Sequence, residues 1–66
     1  MKNTIRVERA ILDMTQQQLA DAIGVSRNTI NSIESGKYVP STVLGLKIAR
    51  YFGKPTDSIF ELDEND

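Results

Sequence analysis

Residues 14–41 read MTQQQLADAIGVSRNTINSIESGKYVPS, and the reading of this stretch decides the fold. Thr15 has the character of a helix N-cap, and Gln18 three positions on completes a capping-box pattern. A helix over 16–23 follows, with Leu19 and Ile23 one turn apart on its apolar side. Gly24 stops it, because glycine adopts the left-handed conformation that a helix end demands. Ser26 then caps a helix over 27–35, with Ile30 and Ile33 turned inward and Gly36 as its stop. Two short helices meeting at a tight turn form the geometry that holds the second one out for a DNA major groove. Ala20 lies where the two helices cross, and a larger side chain there would hold them apart. Leu19, Ile23, Val25, Ile30 and Ile33 set the angle between them. A generic helical bundle shares the apolar periodicity but does not demand the alanine, the glycine and five apolar residues at these offsets.

Working outward, residues 4–13 form a first helix in which Ile5 and Leu12 flank Arg9 on one stripe. Downstream of the loop Lys37–Pro40, Ser41 caps a helix over 42–52 with Leu44, Ile48, Tyr51 and Phe52 on its apolar face. Gly53 stops that helix. Gly45 inside it is unfavourable by roughly 1 kcal/mol against alanine, and close approach of a neighbouring helix would account for it. Pro55 fits the first turn of a fifth helix over 55–60, after which Phe60–Leu62 run extended into an acidic, frayed end. The expected architecture is all-α, five helices in one domain over 1–66, with the helix-turn-helix at 16–35 and an acidic tail at 61–66.

Sixty-six residues leave no room for a second lobe. A chain of this size buries only about 60% of its unfolded surface, so self-association is an economical source of added stability. There is no cysteine and no histidine, which removes disulfides, thiolate metal sites and the usual zinc ligands; no metal and no cofactor are expected. The clustered carboxylates sit in the tail and not in a cleft, so an enzyme is not expected. Nothing resembles a signal peptide and no apolar run nears membrane-spanning length, which places the chain in the cytoplasm and away from membranes. The formal charge of −1 hides an asymmetry: residues 1–54 hold all eight Lys and Arg against Glu8, Asp13, Asp21 and Glu34, whereas 55–66 hold five acids and no base. One face can therefore attract phosphate while the tail points elsewhere.

The stretch quoted above resembles the signature of the Cro/C1-type (xenobiotic-response-element) helix-turn-helix regulators, and the resemblance continues through LKIARYFG and SIFEL. It implies a lambda-repressor-like five-helix domain in its short stand-alone form, whose second and third helices read DNA, usually as a dimer. Short relatives of this type can also pair the chain ends, here Phe60–Leu62 with Lys2–Thr4, as a small β-ribbon. Family members have an arginine and a glutamate at the places of Arg9 and Glu34. In this sequence both charges stand at apolar-facing positions, which favours a partly buried structural pair over two side chains reaching solvent.

The outward face of the third helix presents Arg27, Asn28, Asn31 and Ser32, and between Gly24 and Gly36 the only acid is the inward Glu34. Arginine binds guanine O6 and N7 bidentately and asparagine binds adenine N6 and N7, so these side chains suit base edges. The resemblance implies Arg27, Asn28 and Ser32 as the main readers, with Asn31 and Thr29 at the groove edge. It also implies that Gln16 contacts the DNA backbone at an open helix N-terminus. Ser26, Thr29, Lys37 and Tyr38 complete the backbone set, with packing of the Tyr38 ring over its loop as the alternative for that residue. A two-fold dimer would place two such helices roughly 34 Å apart on a palindromic operator. Tyr51, Ile59, Phe60 and Leu62 are the interface candidates, among a wider apolar surplus that includes Val39, Val43 and Leu46. The function expected is sequence-specific repression by a homodimer on double-stranded DNA, with room for an unidentified regulatory protein. The alternative is an antitoxin or interaction module whose main partner is another protein.

Overall fold

The computed structural model describes all residues, Met1–Asp66, as five helices and a two-stranded ribbon. In chain order these are β1 (Lys2–Asn3), α1 (Ile5–Ile11), α2 (Gln16–Ile23), α3 (Arg27–Glu34), α4 (Thr42–Phe52), α5 (Thr56–Ile59) and β2 (Phe60–Glu61). The strands pair antiparallel, Lys2 opposite Glu61 and Asn3 opposite Phe60, and the Thr4 amide extends the pairing by donating to the Ile59 carbonyl at 2.9 Å. The ribbon expected between the chain ends is present, one residue shorter on each side.

Local chemistry explains most element boundaries. Thr15 accepts from the Gln18 amide at 3.0 Å while the Gln18 side chain accepts from the Thr15 amide at 2.9 Å, a complete capping box. Ser26 and Ser41 cap α3 and α4 through the amides of Thr29 and Leu44. Gly24 closes α2 at φ 90° and Gly53 closes α4 at φ 68°, both in the left-handed region.

The largest boundary differences from the sequence-based expectation lie at the end of α1 and around α5. The first helix ends at Ile11, because Leu12 leaves helical geometry and Asp13 takes a positive φ of 54°. This lifts Leu12 off the predicted stripe and leaves it 52% exposed. Pro55 lies outside α5 as its N-cap, with extended backbone, and Phe60 belongs to the ribbon. Beside Gly45 no helix approaches closely: a Cβ there would meet the Phe60 ring at 3.8 Å and Pro40 at 4.0 Å, ordinary contact distances.

The core is Ile5, Leu19, Ala20, Ile30, Ile33, Ile48, Ala49, Ile59 and Phe60, with Ile23, Val25, Leu44 and Phe52 packed half-buried against it. Burying each large aliphatic side chain contributes about 1.5–3 kcal/mol, so the inward faces of α2, α3 and α4 carry the stability of the helix-turn-helix. Tyr51 is not part of that face. It lies outside, edge-on to Phe52, and Ala49 takes the inward place on α4. Ile59 and Phe60 are corrected as interface candidates, since the ribbon folds both into the core, 1% and 9% exposed. Nor does the acidic end fray: the Met1 ammonium meets Asp63 at 3.1 Å and Asp66 at 3.4 Å, and the Asp66 amide turns back onto the Asp63 carbonyl.

Candidate nucleic-acid interface

The turn Gly24–Ser26 sets α3 against α2 by burying Leu19, Ala20, Ile30 and Ile33 between them. With Ile30 and Ile33 turned in, helix periodicity sends positions 27, 28 and 31 outward, and Arg27, Asn28 and Asn31 are exposed. Thr29 and Ser32 are half-buried at the edges of that face. The caps that start both helices satisfy the third amide of each first turn, leaving those of Gln16 and Gln17 on α2, and of Arg27 and Asn28 on α3, without an intrahelical acceptor. Such helix N-termini favour an anion.

Beneath this face lies a polar network anchored in the interior. Arg9 donates from Nε to Glu34 Oε2 at 2.6 Å and from its second terminal nitrogen to Oε1 at 3.0 Å, while its first terminal nitrogen donates to the Met14 carbonyl at 2.8 Å. The Glu34 side chain is 2% exposed and that of Arg9 14%. The hydrogen bonds it donates to Glu34 hold the Arg9 guanidinium above its ordinary pKa, against the opposing effect of burial. Gln16 Nε2 reaches Glu34 Oε1 at 3.3 Å and Asn31 Oδ1 at 3.2 Å. The exposed Asn31 is thus tied through Gln16 to a buried ion pair.

The cations divide into paired and unpaired sets. Arg9 serves Glu34, Lys54 meets Glu8 at 2.8 Å, and Arg6 touches Glu34 only at 3.9 Å. Lys2, Arg27, Lys37, Lys47 and Arg50 take part in no ion pair. Asp21, the one carboxylate on α2, accepts from Gln17 at 2.8 Å. The acidic tail lies at the other end of α3, where Asp63 lines a hollow with Met1, Lys2, Asn3 and Glu34–Gly36. Lys37 and Tyr38 follow α3 with both amides donating to the Ser32 carbonyl, at 3.0 and 3.2 Å, which folds the loop back along the helix. Asn28, Thr29, Ser32 and Tyr38 consequently line one shallow hollow of about 270 Å³.

Of the remaining interface candidates, Tyr51 and Leu62 are exposed, 44% and 74%. Sequence reasoning missed the Glu8–Lys54 pair, although Glu8 stands one turn from Ile5 on the inward side and its spacing could have marked it. The bond from Asn3 Nδ2 to the Ile33 carbonyl, 2.8 Å, and the reach of Gln16 to Asn31 join distant segments and left no local signal.

The helix-turn-helix family model matches residues 5–59. An uncharacterized HTH-type transcriptional regulator of Methanocaldococcus jannaschii is 46% identical over 66 residues, covering 100% of both chains. One of Bacillus subtilis is 41% identical over 64 residues, 97% of each. The cryptic phage CTXphi transcriptional repressor of Vibrio cholerae is 35% identical over 65 residues, 91% of this chain and 56% of its own length.

Proposed function

The chain belongs to the Cro/C1-type helix-turn-helix family of DNA-binding transcriptional regulators, and we propose that it represses transcription by binding a palindromic operator as a homodimer. The observation that carries this reading is the outer face of α3. It presents Arg27, Asn28 and Asn31 to solvent beside two open helix N-termini, with no carboxylate directed outward. Arg27 and Asn28 in the first turn read base edges, and Ser32 and Asn31 extend the contact along the groove. Gln16, Ser26, Thr29, Lys37 and Tyr38 hold phosphates on either side and fix the register without specifying sequence. The repressor of Vibrio cholerae supports the sign of regulation.

For the homodimer, the outer side of α4 and the loop before it offer Val39, Val43 and Leu46, 54%, 64% and 53% exposed. These residues, with the exposed Tyr51 and Leu62, are the candidates for the contact that joins two copies and spaces their α3 helices about one DNA turn apart. The protomer is one domain that works in the cytoplasm, without metal or cofactor, and no helix is long and apolar enough to cross a membrane.

Selection from a random duplex library tests the reading. Enrichment of an inverted repeat, with affinity that falls steeply as salt rises, is the expected result. Arg27→Ala is expected to cost about 1–3 kcal/mol and to relax preference at one base position per half-site. Enrichment of no sequence overturns the proposal, and an equal loss on every duplex reassigns Arg27 to the phosphates.

A further inference from the structure

We propose that the hollow between α3 and the loop behind it receives the C5 methyl of a thymine, so that Tyr38 selects a base and does not merely brace the backbone. The inference rests on the DNA-binding reading given above. Asn28, Thr29, Ser32 and Tyr38 line this hollow, and no lysine or arginine does, so no charge draws a phosphate into the hollow itself. The lining is largely apolar although three of its four residues are polar, and the hydrogen bonds explain why. Thr29 Oγ1 lies 2.9 Å from Ser26 Oγ within the cap of α3, so the part of Thr29 left for the hollow is its methyl. The Tyr38 amide is fixed to the Ser32 carbonyl, which holds the residue against the third and sixth positions of the reading helix, and the residue is 47% exposed.

An apolar hollow on a face otherwise built for hydrogen bonding meets one apolar feature in the major groove, the thymine methyl. A methyl group and an aromatic ring are the surfaces that favour it. Asn28, on the rim, remains free to bind the neighbouring base edge.

Replacing thymine by uracil removes this methyl and leaves every hydrogen-bonding atom in place. The test uses the duplex enriched from the library, with each thymine changed in turn to uracil and affinity read by fluorescence anisotropy. One thymine per half-site is expected to lose about fourfold, the effect of withdrawing one methyl-sized group from apolar contact. Tyr38→Ala is expected to abolish that thymine-to-uracil ratio, Tyr38→Phe to keep it, and Arg27→Ala to keep it while weakening binding. Circular dichroism establishes that each variant is folded. A flat uracil scan, an enriched site without thymine, or a ratio unchanged by Tyr38→Ala overturns the proposal and leaves the regulator reading standing. Enrichment of no sequence at all overturns both.

Discussion

Truncating Glu34 to alanine should expose how much of this small protein hangs on one buried ion pair. The Glu34 carboxylate accepts two bonds from Arg9 and one from Gln16, and its side chain is 2% exposed. Its loss strands the Arg9 guanidinium, itself only 14% exposed, with the Met14 carbonyl as its one remaining partner. Breaking a buried pair on one side costs about 3–5 kcal/mol, most of it the penalty of the orphaned charge. Arg6, 83% exposed and 3.9 Å from Glu34, is itself a cation and offers the stranded guanidinium no counter-charge. A domain of this length has roughly 3–10 kcal/mol of total stability, so Glu34→Ala should lower Tm by about 12 °C or more. The cycle Arg9→Met, Glu34→Leu and the double variant, followed by urea denaturation and circular dichroism, separates the pair from its burial. The double variant is expected to be more stable than either single one, because an apolar pair carries no orphaned charge. A loss below about 1 kcal/mol for Glu34→Ala, the range of exposed pairs, or strictly additive single effects, would refute the reasoning.

Gly45→Ala should stabilise the fold by about 0.5–1 kcal/mol, since mid-helix alanine is favoured and its Cβ meets only ordinary contacts with Phe60 and Pro40; a fall in Tm would show that the site is tighter than its distances imply. Leu46→Lys should leave the fold intact and shift the chain to monomer in sedimentation; a persisting dimer would move the interface elsewhere. The clamp on the chain end has a defined pH window. The backbone amide of Asn65, and then the Met1 ammonium, hold Asp63 below the usual carboxylate range, so its contribution is present above the unfolded value and lost as pH falls through the lowered one. Asp63 raises the Met1 amine above 8.0, so that contribution is full below 8.0 and lost as pH rises through the raised value. Protection factors of the Asp63–Asp66 amides, which divide out the intrinsic rise of exchange with pH, should therefore be highest between these limits, and a flat profile would contradict the clamp.

What was legible in the sequence was local. Thr15 with Gln18, Ser26, Ser41, Gly24 and Gly53 act within one turn of chain, and each ends or starts a helix where its chemistry requires. The direction of the α3 face was legible for the same reason, because Ile30 and Ile33 fix its inward side. Misplaced features depend on segments far apart in sequence. Ile59 and Phe60 look like surplus apolar residues until the strand at Lys2–Asn3 draws them inward. Tyr51 reads as core by periodicity, yet the inward arc of α4 is filled by Ile48 and Ala49. The tail looks solvated until its carboxylates find the Met1 ammonium at the opposite end of the chain.

Net charge is a poor guide to partner for this chain because folding sorts its charges. Glu8 and Glu34 are spent on Lys54 and Arg9 inside the protein, and Asp63 and Asp66 on the Met1 amine. The cations in no ion pair are Lys2, Arg27, Lys37, Lys47 and Arg50, of which Arg27 opens α3 and Lys37 follows it. The tail carboxylates sit at the Glu34–Gly36 end of α3, and seven residues of helix rise separate that end from Arg27 by about 10 Å. The Debye length at physiological salt is about 8 Å, so the tail's field is substantially screened before it reaches the reading end. The proposed contact surface therefore carries Arg27 and Lys37 with no outward carboxylate on α3, and on that proposal the tail can stay acidic without opposing the contact.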